Sequence, residues 1–283
     1  MELKIVAERA GRLSSFLKGE LKMSTGLMNR LKWGDAIRVN GTPQHTDFSV
    51  QPGDVITVRL DEPNPEYPPQ EGELTILYED DHILAVDKPT GMLIHPSRSK
   101  NDGTLANYVL GYYQKTGQNS AFHPVTRLDR DTFGLVLLAK NSHIHSLLQD
   151  TALQKTYHAL TFGGPEEECG TIDAPIARRE LPSLLRYISP EGKPSVTEFS
   201  VLQRGKVCKL ALKPITGRTH QLRLHCFHMG FPILGDPQYN TEESRAYSDR
   251  LGLTSQLLCA YSLEFTHPIT GESLIITTKM EIK

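Results

Sequence analysis

The chain has 283 residues, 38% apolar and 23% charged, with a formal net charge of -2 at pH 7: enough for one sizeable core plus a small one, and too balanced to hold nucleic acid by overall charge, though a local basic face still could. Four cysteines without CxxC spacing (Cys169, Cys208, Cys226, Cys259) indicate neither a zinc ribbon nor a disulfide framework. No run nears the roughly eighteen apolar residues of a membrane span, and the opening residues lack a signal-peptide core, so a cytoplasmic protein without membrane contact is expected.

Leu13, Phe16, Leu17 and Leu21 recur at helical spacing, and Ser24-Thr25 offers an N-cap to a second short helix through Leu27, Met28 and Leu31. After Gly34 the pattern turns to strands: Ala36 to Val39, Val50, and Val55 to Leu60, with turns at Asn40-Gly41 and Pro52-Gly53. From Arg12 to Arg59, seven cations (Arg12, Lys18, Lys22, Arg30, Lys32, Arg38, Arg59) meet four acids (Glu20, Asp35, Asp47, Asp54). Seven minus four leaves +3 in a chain that is negative overall, which suggests a phosphate-contacting face; a small soluble unit can also carry that excess for no such reason. Residues 61–73 (DEPNPEYPPQEGE) hold four prolines and five acids and read as an extended linker kept off the core. The expected division is 1–60, a linker at 61–73, and a larger domain at 74–283.

In the larger part, Leu74 to Tyr78 and Ile83 to Asp87 read as strands, with Lys88-Pro89 closing the second, and Thr104 caps a helix running to Tyr113. The densest stretch is HPVTRLDRDTFGLVLLAK, His123 to Lys140. It packs Arg127, Asp129, Arg130 and Asp131 into five residues, ahead of an apolar run, Leu135 to Ala139, that reads as a buried strand. Such charge must be paired or kept at a cleft, because an unpaired buried ion is costly; the plainer alternative is a surface turn with two ion pairs. An amphipathic helix is expected over Ser142 to Gln154. A strand follows over Lys155 to Gly163, with Tyr157, Ala159 and Thr161 on one side and His158, Leu160 and Phe162 on the other. Residues 164–195 read as loops and short strands, with Arg178-Arg179 either an RNA-backbone contact or a solvated pair; Val196 to Gln203 and Val207 to Leu212 form a hairpin. In TGRTHQLRLHCFHMGFPILGDPQY, residues 216–239, Thr219 is expected to cap a helix on which Leu222, Leu224 and Phe227 pack. Its histidines, His220, His225 and His228, lack the HExxH pairing of a zinc site. Two strands, Cys259 to Phe265 and Ser273 to Thr278, end the chain.

Together RLDRDTFGLVLLAK, KPTGMLIHP, KTYHAL and TGRTHQLRLHCFHMGFPILGD, in this arrangement, resemble the RluA-type pseudouridine synthases, over residues 74–280. The two helices followed by IRVNGTP and VQPGDVITV resemble the S-four-type RNA-binding domain often found on that family. The resemblance implies isomerisation of uridine to pseudouridine in RNA, ribosomal RNA first and transfer RNA second, by a monomer. It places the catalytic aspartate at Asp129, its arginine partner at Arg223, the tyrosine that stacks on uracil at Tyr157, and the arginine that fills the flipped base's place at Arg127. Arg218 and, on the front module, Arg12, Arg30, Lys32 and Arg38 are the further expected RNA contacts. Two positions depart from the family's usual HRLD and TSG: Thr126 precedes Arg127, and Phe133 stands between Thr132 and Gly134. The expected fold is α+β, a mixed, mainly antiparallel sheet with flanking helices plus the small front module.

The chemistry breaks a bond from the anomeric carbon to nitrogen and remakes it to carbon of the same uracil. It involves no redox or phosphoryl step, so neither cofactor nor metal is expected. A carboxylate beside the sugar is needed, ionised by a nearby opposite charge, and the stacked base must be flipped out at a cost of a few kcal/mol. Two other readings fit parts of the chain. A nucleosidase would pair Asp129 with Asp131, which point apart in a turn. A non-catalytic RNA-binding protein would keep the synthase fold without its reaction.

Overall fold

A computed structural model describes residues 2–60, 67–97, 100–179 and 185–282; residues 61–66 of the expected linker lie outside them. The first unit is a four-stranded antiparallel sheet in which Glu2–Val6 pairs with Val55–Arg59, that strand with Ile37–Val39, and Ile37–Val39 with Thr42–Pro43. Because side chains alternate across a strand, Leu3, Ile37, Val39, Ile56 and Val58 share one face, closed by Leu13, Phe16, Leu17, Leu27 and Met28 of helices Leu13–Gly19 and Thr25–Leu31. Ser24 Oγ caps the second helix by accepting from the Leu27 N–H at 3.2 Å. Asn40 and Gly41 both have positive φ, as a two-residue hairpin turn demands, and Asn40 also accepts from Val55 N and donates to Asp54.

Part of the linker departs from expectation. Tyr67 packs against the core of the larger unit, Asn107 donates to the Pro68 carbonyl, and Gln70 N–H donates to the Asn107 carbonyl. The approach is close: a Cβ on Gly111, in helix Leu105–Lys115, would stand 1.9 Å from the Gln70 oxygen. Prolines hold the segment extended, and its polar backbone finds partners on the helix instead of in water.

The larger unit is built on one ten-stranded sheet. Its path runs Cys169–Asp173, Val196–Gln203, Val207–Pro214, Gln154–Phe162, Leu258–Thr266, Phe133–Ala139, Ile83–Lys88 and Thr75–Glu79, with Ser273–Thr277 and His123–Pro124 added at the sides. All pairings are antiparallel except Phe133–Ala139 with Leu258–Thr266, which run parallel for two residue pairs. The expected mixed, mainly antiparallel α+β architecture is therefore what forms. Helix Leu105–Lys115 covers Leu84, Val86, Val136 and Leu138, and helix Ser142–Gln149 covers Ile83, Ala85, Leu135 and Leu137 on the opposite face. Burial on both faces is why Leu135 to Ala139 is apolar without alternation. Gly134 enters that strand at φ +103°, and a Cβ there would meet the Ala260 carbonyl at 2.4 Å, so only glycine fits this junction.

Several elements differ in detail from the sequence reading. The helix expected to reach Gln154 ends at Gln149 and is capped by Asn141. Helix Gln221–His228 takes its N-cap from His220, at φ +58°, rather than from Thr219. Phe227, expected to pack, is 36% exposed, whereas Leu222 and Leu224 are buried. Helix Glu242–Arg250 and strand Glu2–Val6 are additions to the elements that the sequence predicts. Among the described residues no helix is long and apolar enough to cross a membrane.

Candidate active site

The site starts from the turn between Thr126 and Thr132, which is gripped from behind. Thr126, one of the two departures, is buried and its hydroxyl accepts from the Leu137 N–H at 2.9 Å, fixing the turn to the central strand. Lys88, at the end of strand Ile83–Lys88, has no exposed surface; its ammonium donates to the carbonyls of Pro89, Met92 and Arg130 at 2.8–3.0 Å. Burial pushes this ammonium down to about 8, partly opposed by the Asp131 and Asp129 charges. Thr90 donates to the Asp131 carbonyl at 2.9 Å, and Gln256 donates to Thr132 Oγ1 at 3.2 Å. Arg130 and Asp131 form a two-pronged pair at 2.8 and 2.9 Å on the outer side of the turn. Asp129 belongs to neither arrangement.

Asp129 instead meets Arg223, the arginine that the family resemblance names as its partner. Helix Gln221–His228 carries Arg223 to the mouth of the turn, where Nη1 lies 3.3 Å from Asp129 Oδ2. The other edge of the guanidinium is held by Asp236, with Nε to Oδ2 at 2.6 Å and Nη2 to Oδ1 at 2.8 Å, and Nη2 also donates to Gln238. Burial opposes the charge on Arg223, but the hydrogen bonds and charge of Asp236 and then Asp129 outweigh it, so the group stays firmly protonated. The Asp236 side chain is fully buried and also accepts from the Gln238 and Tyr239 N–H groups. It fixes the arginine, and the arginine in turn presents one N–H to the Asp129 carboxylate, whose side chain is 32% exposed.

His220 completes this wall. The Arg186 N–H donates to the Tyr239 hydroxyl, and that hydroxyl lies 3.0 Å from His220 Nδ1. Read as a chain, Tyr239 donates to Nδ1, leaving the proton on Nε2, which faces Asp129 Oδ2 at 3.9 Å. Burial lowers the pKa of His220, with Asp129 pulling it up and Arg223 down. The three histidines of this stretch do not converge: His225 is buried between Thr197 Oγ1 and the Ala174 carbonyl, and His228 is exposed.

A cleft of about 530 Å³ opens in front of these groups and is lined by Arg127, Asp129, Tyr157, Arg218, His220 and Arg223. All five residues expected in the larger part thus border one cavity. Tyr157 is half-buried in strand Gln154–Phe162; burial and then the Asp129 charge raise its phenol pKa, so it stays protonated. Arg127 is exposed, and Arg218 is exposed with Nε donating to the Pro194 carbonyl at 3.2 Å. Phe133, the second departure, lies outside the cleft, in a separate cavity beside Thr90 and Gln256.

The four expected contacts of the front module sit on the first unit. Arg12 and Arg30 are exposed, and Lys32 lies 5.1 Å over the Trp33 ring. Arg38 is half-buried and donates to the Asp35 and Gly41 carbonyls of its own hairpin. From sequence, Asp236 and Tyr239 have no assigned role, Lys88 only the end of its strand, and His220 only a place among histidines that do not form a zinc site. For Asp236 the only signal was a carboxylate directly after the apolar Pro232–Gly235 run, where an unpaired charge is costly.

With this geometry in place, comparison with known proteins is direct. The model of the RNA pseudouridylate synthase family matches residues 82–228. A Bacillus subtilis protein named uncharacterized RNA pseudouridine synthase YjbO is 34% identical over 90% of this chain and 91% of its own. The ribosomal large subunit pseudouridine synthase C of Vibrio cholerae is 31% identical over 95% of this chain and 90% of its own. The structure of human RNA pseudouridylate synthase domain containing 1 superposes with a TM-score of 0.61 and 28% identity, covering 74% of this chain and 84% of that one. The chain belongs to the RNA pseudouridylate synthase family and is an enzyme that isomerises uridine to pseudouridine in RNA.

Proposed function

We propose that the protein modifies uridines in structured ribosomal RNA, with Asp129 as the catalytic carboxylate. The observation that carries this reading is the Asp129–Arg223–Asp236 chain at a solvent-open cleft. A guanidinium clamped by a buried second carboxylate keeps the partly exposed Asp129 beside a fixed positive charge at the cleft. There the carboxylate can add to, or take a proton from, the nucleoside as the bond to nitrogen opens and the bond to carbon closes. The neutral Tyr157 ring covers the uracil face, so the detached base turns without leaving. Arg127, exposed at the rim, enters the stack vacated by the flipped nucleotide, and Arg218 meets backbone phosphate. Residues 1–60 act as an S-four-type RNA-binding domain and 61–73 as the connection, with its residues 67–70 packed onto 74–283, the catalytic domain of a cytoplasmic monomer. No step calls for a cofactor.

Ribosomal RNA labelled with tritium at uridine C5 tests this, because bond formation at that carbon releases the label. Wild type is expected to release tritium, and Asp129→Ala none, with or without a chelator. Release by Asp129→Ala at the wild-type rate removes Asp129 from the mechanism. Label retained by both proteins while RNA still binds favours the non-catalytic reading.

A further inference from the structure

The chain has one tryptophan, and it is not in a core: Trp33 is 79% exposed, the most exposed large apolar side chain among the described residues. Burying an indole removes a large area from water, so leaving it outside forgoes the strongest apolar contribution available to a small unit. Its surroundings are cationic. Trp33 follows Lys32, the C-cap of helix Thr25–Leu31; Lys32 Nζ stands 5.1 Å over its ring, Arg30 is exposed on the helix's last turn with Nη2 donating to Ser142 Oγ at 3.4 Å, and the His45 ring meets the indole edge-on at 5.8 Å. Arg38 is tied to the hairpin carbonyls beside it. The nearest carboxylate in sequence is Asp35, whose backbone carbonyl engages Arg38. An open aromatic ring with a cation against it is an arrangement that binds single-stranded nucleic acid: the ring takes the flat face of any base and neighbouring cations take the adjoining phosphates.

We infer that Trp33 is a stacking platform for an unpaired nucleobase of the substrate RNA, with Lys32 and Arg30 on the adjoining phosphates. This rests on the RNA-binding reading of residues 1–60. It adds a distinct requirement: the RNA must present an unpaired nucleotide to this module as well as the reacting uridine to the cleft. Duplex RNA, whose bases are already stacked, satisfies Lys32 and Arg30 but not Trp33.

The lone tryptophan makes the test direct. Full-length protein is titrated with a twelve-nucleotide oligoadenylate and with a duplex of the same length, following indole emission, acrylamide accessibility and, independently, fluorescence anisotropy of the labelled RNA. Expected are quenching and acrylamide protection saturating with the single strand and absent with the duplex. Trp33→Ala should weaken single-strand binding about tenfold with an unchanged slope of log K against log salt, and Trp33→Phe should recover most of it; Lys32→Ala should flatten the slope. Circular dichroism melting of each variant reports folding. Binding by anisotropy without any change in indole emission overturns the inference, as does equal affinity of Trp33→Ala and wild type. Absence of any binding by anisotropy overturns it too, and tritium release from ribosomal RNA then reports separately whether the catalytic reading stands.

Discussion

At the scale of single residues, the site turns on two carboxylates that share one arginine and differ in burial. Asp236 is sealed in and answers most of the Arg223 guanidinium, whereas Asp129 touches a single N–H from the open side. Removing one partner of a buried ion pair leaves the other charge uncompensated, at about 3–5 kcal/mol, while an exposed pair is worth about 1 kcal/mol or less. Asp236→Asn is therefore expected to lose both several kcal/mol in urea unfolding and most of its tritium release. Asp129→Asn should lose only the release, melting close to wild type and binding RNA within about threefold. A fully active Asp236→Asn would mean that Arg223 needs no anchor to position Asp129. The contrast also marks what the sequence let through. Asp129 stands in a dense charged motif that reads either as a cleft or as a surface turn, and the family resemblance singles out both it and Arg223. Asp236 sits in what looks like an ordinary Gly-Asp-Pro turn, and its role depends on an arginine thirteen positions earlier being folded back onto it.

At the scale of elements, long apolar strands and capped helices were legible because one physical signal dominated each. Leu135 to Ala139 is apolar on every residue, and helices cover both its faces. Helix Glu242–Arg250 was not legible: EESRAYSDR buries only Ser244 and Ser248, so it has no apolar stripe to find, and its start is set by Thr241 and Ser244 exchanging hydrogen bonds. Strand Glu2–Val6 buries only Leu3, too little for a pattern. The junction that places the Asp129 turn depends on Gly134, where positive φ and a backbone neighbour coincide. Gly134→Ala must strain φ and push the Ala260 carbonyl away, and is expected to cost at least about 2 kcal/mol in denaturant unfolding, with a fall in kcat as the turn moves. Lys88 grips the same turn, and its effect on stability depends on pH. Its folded pKa, about 8, lies below the ordinary 10.5. Between these values the unfolded chain keeps the proton that the folded chain has released, so unfolding takes up a proton and this residue's contribution improves as pH rises through that window. Below about 8 both states are protonated and the burial penalty is felt in full. Lys88→Met should thus be compared by urea unfolding at pH 7 and near the top of the window: wild type gains relative to the variant at the higher pH. A constant difference would mean that Lys88 titrates normally.

At the scale of the whole molecule, the first unit has a core of its own, and it meets the second at scattered polar points. They include Arg30 Nη2 to Ser142 Oγ at 3.4 Å and the buried His143 ring to the Leu21 backbone. Residues 67–70, by contrast, belong physically to the larger unit, because Tyr67 packs on its core, Pro68 accepts from Asn107, and Gln70 lies in the groove that Gly111 leaves open on helix Leu105–Lys115. The place where the chain is cut should therefore matter more than how much is removed. Deleting residues 1–60 is expected to leave kcat for a short stem-loop within about threefold, raise KM, and lower the salt slope of RNA binding by about one for each phosphate that the protein no longer neutralises. Deleting residues 1–73 removes hardly any further cation, since that segment is acidic, but it strips the groove and leaves the Asn107 amide and its backbone carbonyl without these partners. An unsatisfied buried polar group costs about 1–3 kcal/mol, so the longer deletion should melt lower than the shorter one while showing the same salt slope. Equal melting of the two truncated proteins would detach residues 67–70 from the larger unit; an unchanged salt slope after the first deletion would remove residues 1–60 from the RNA interface.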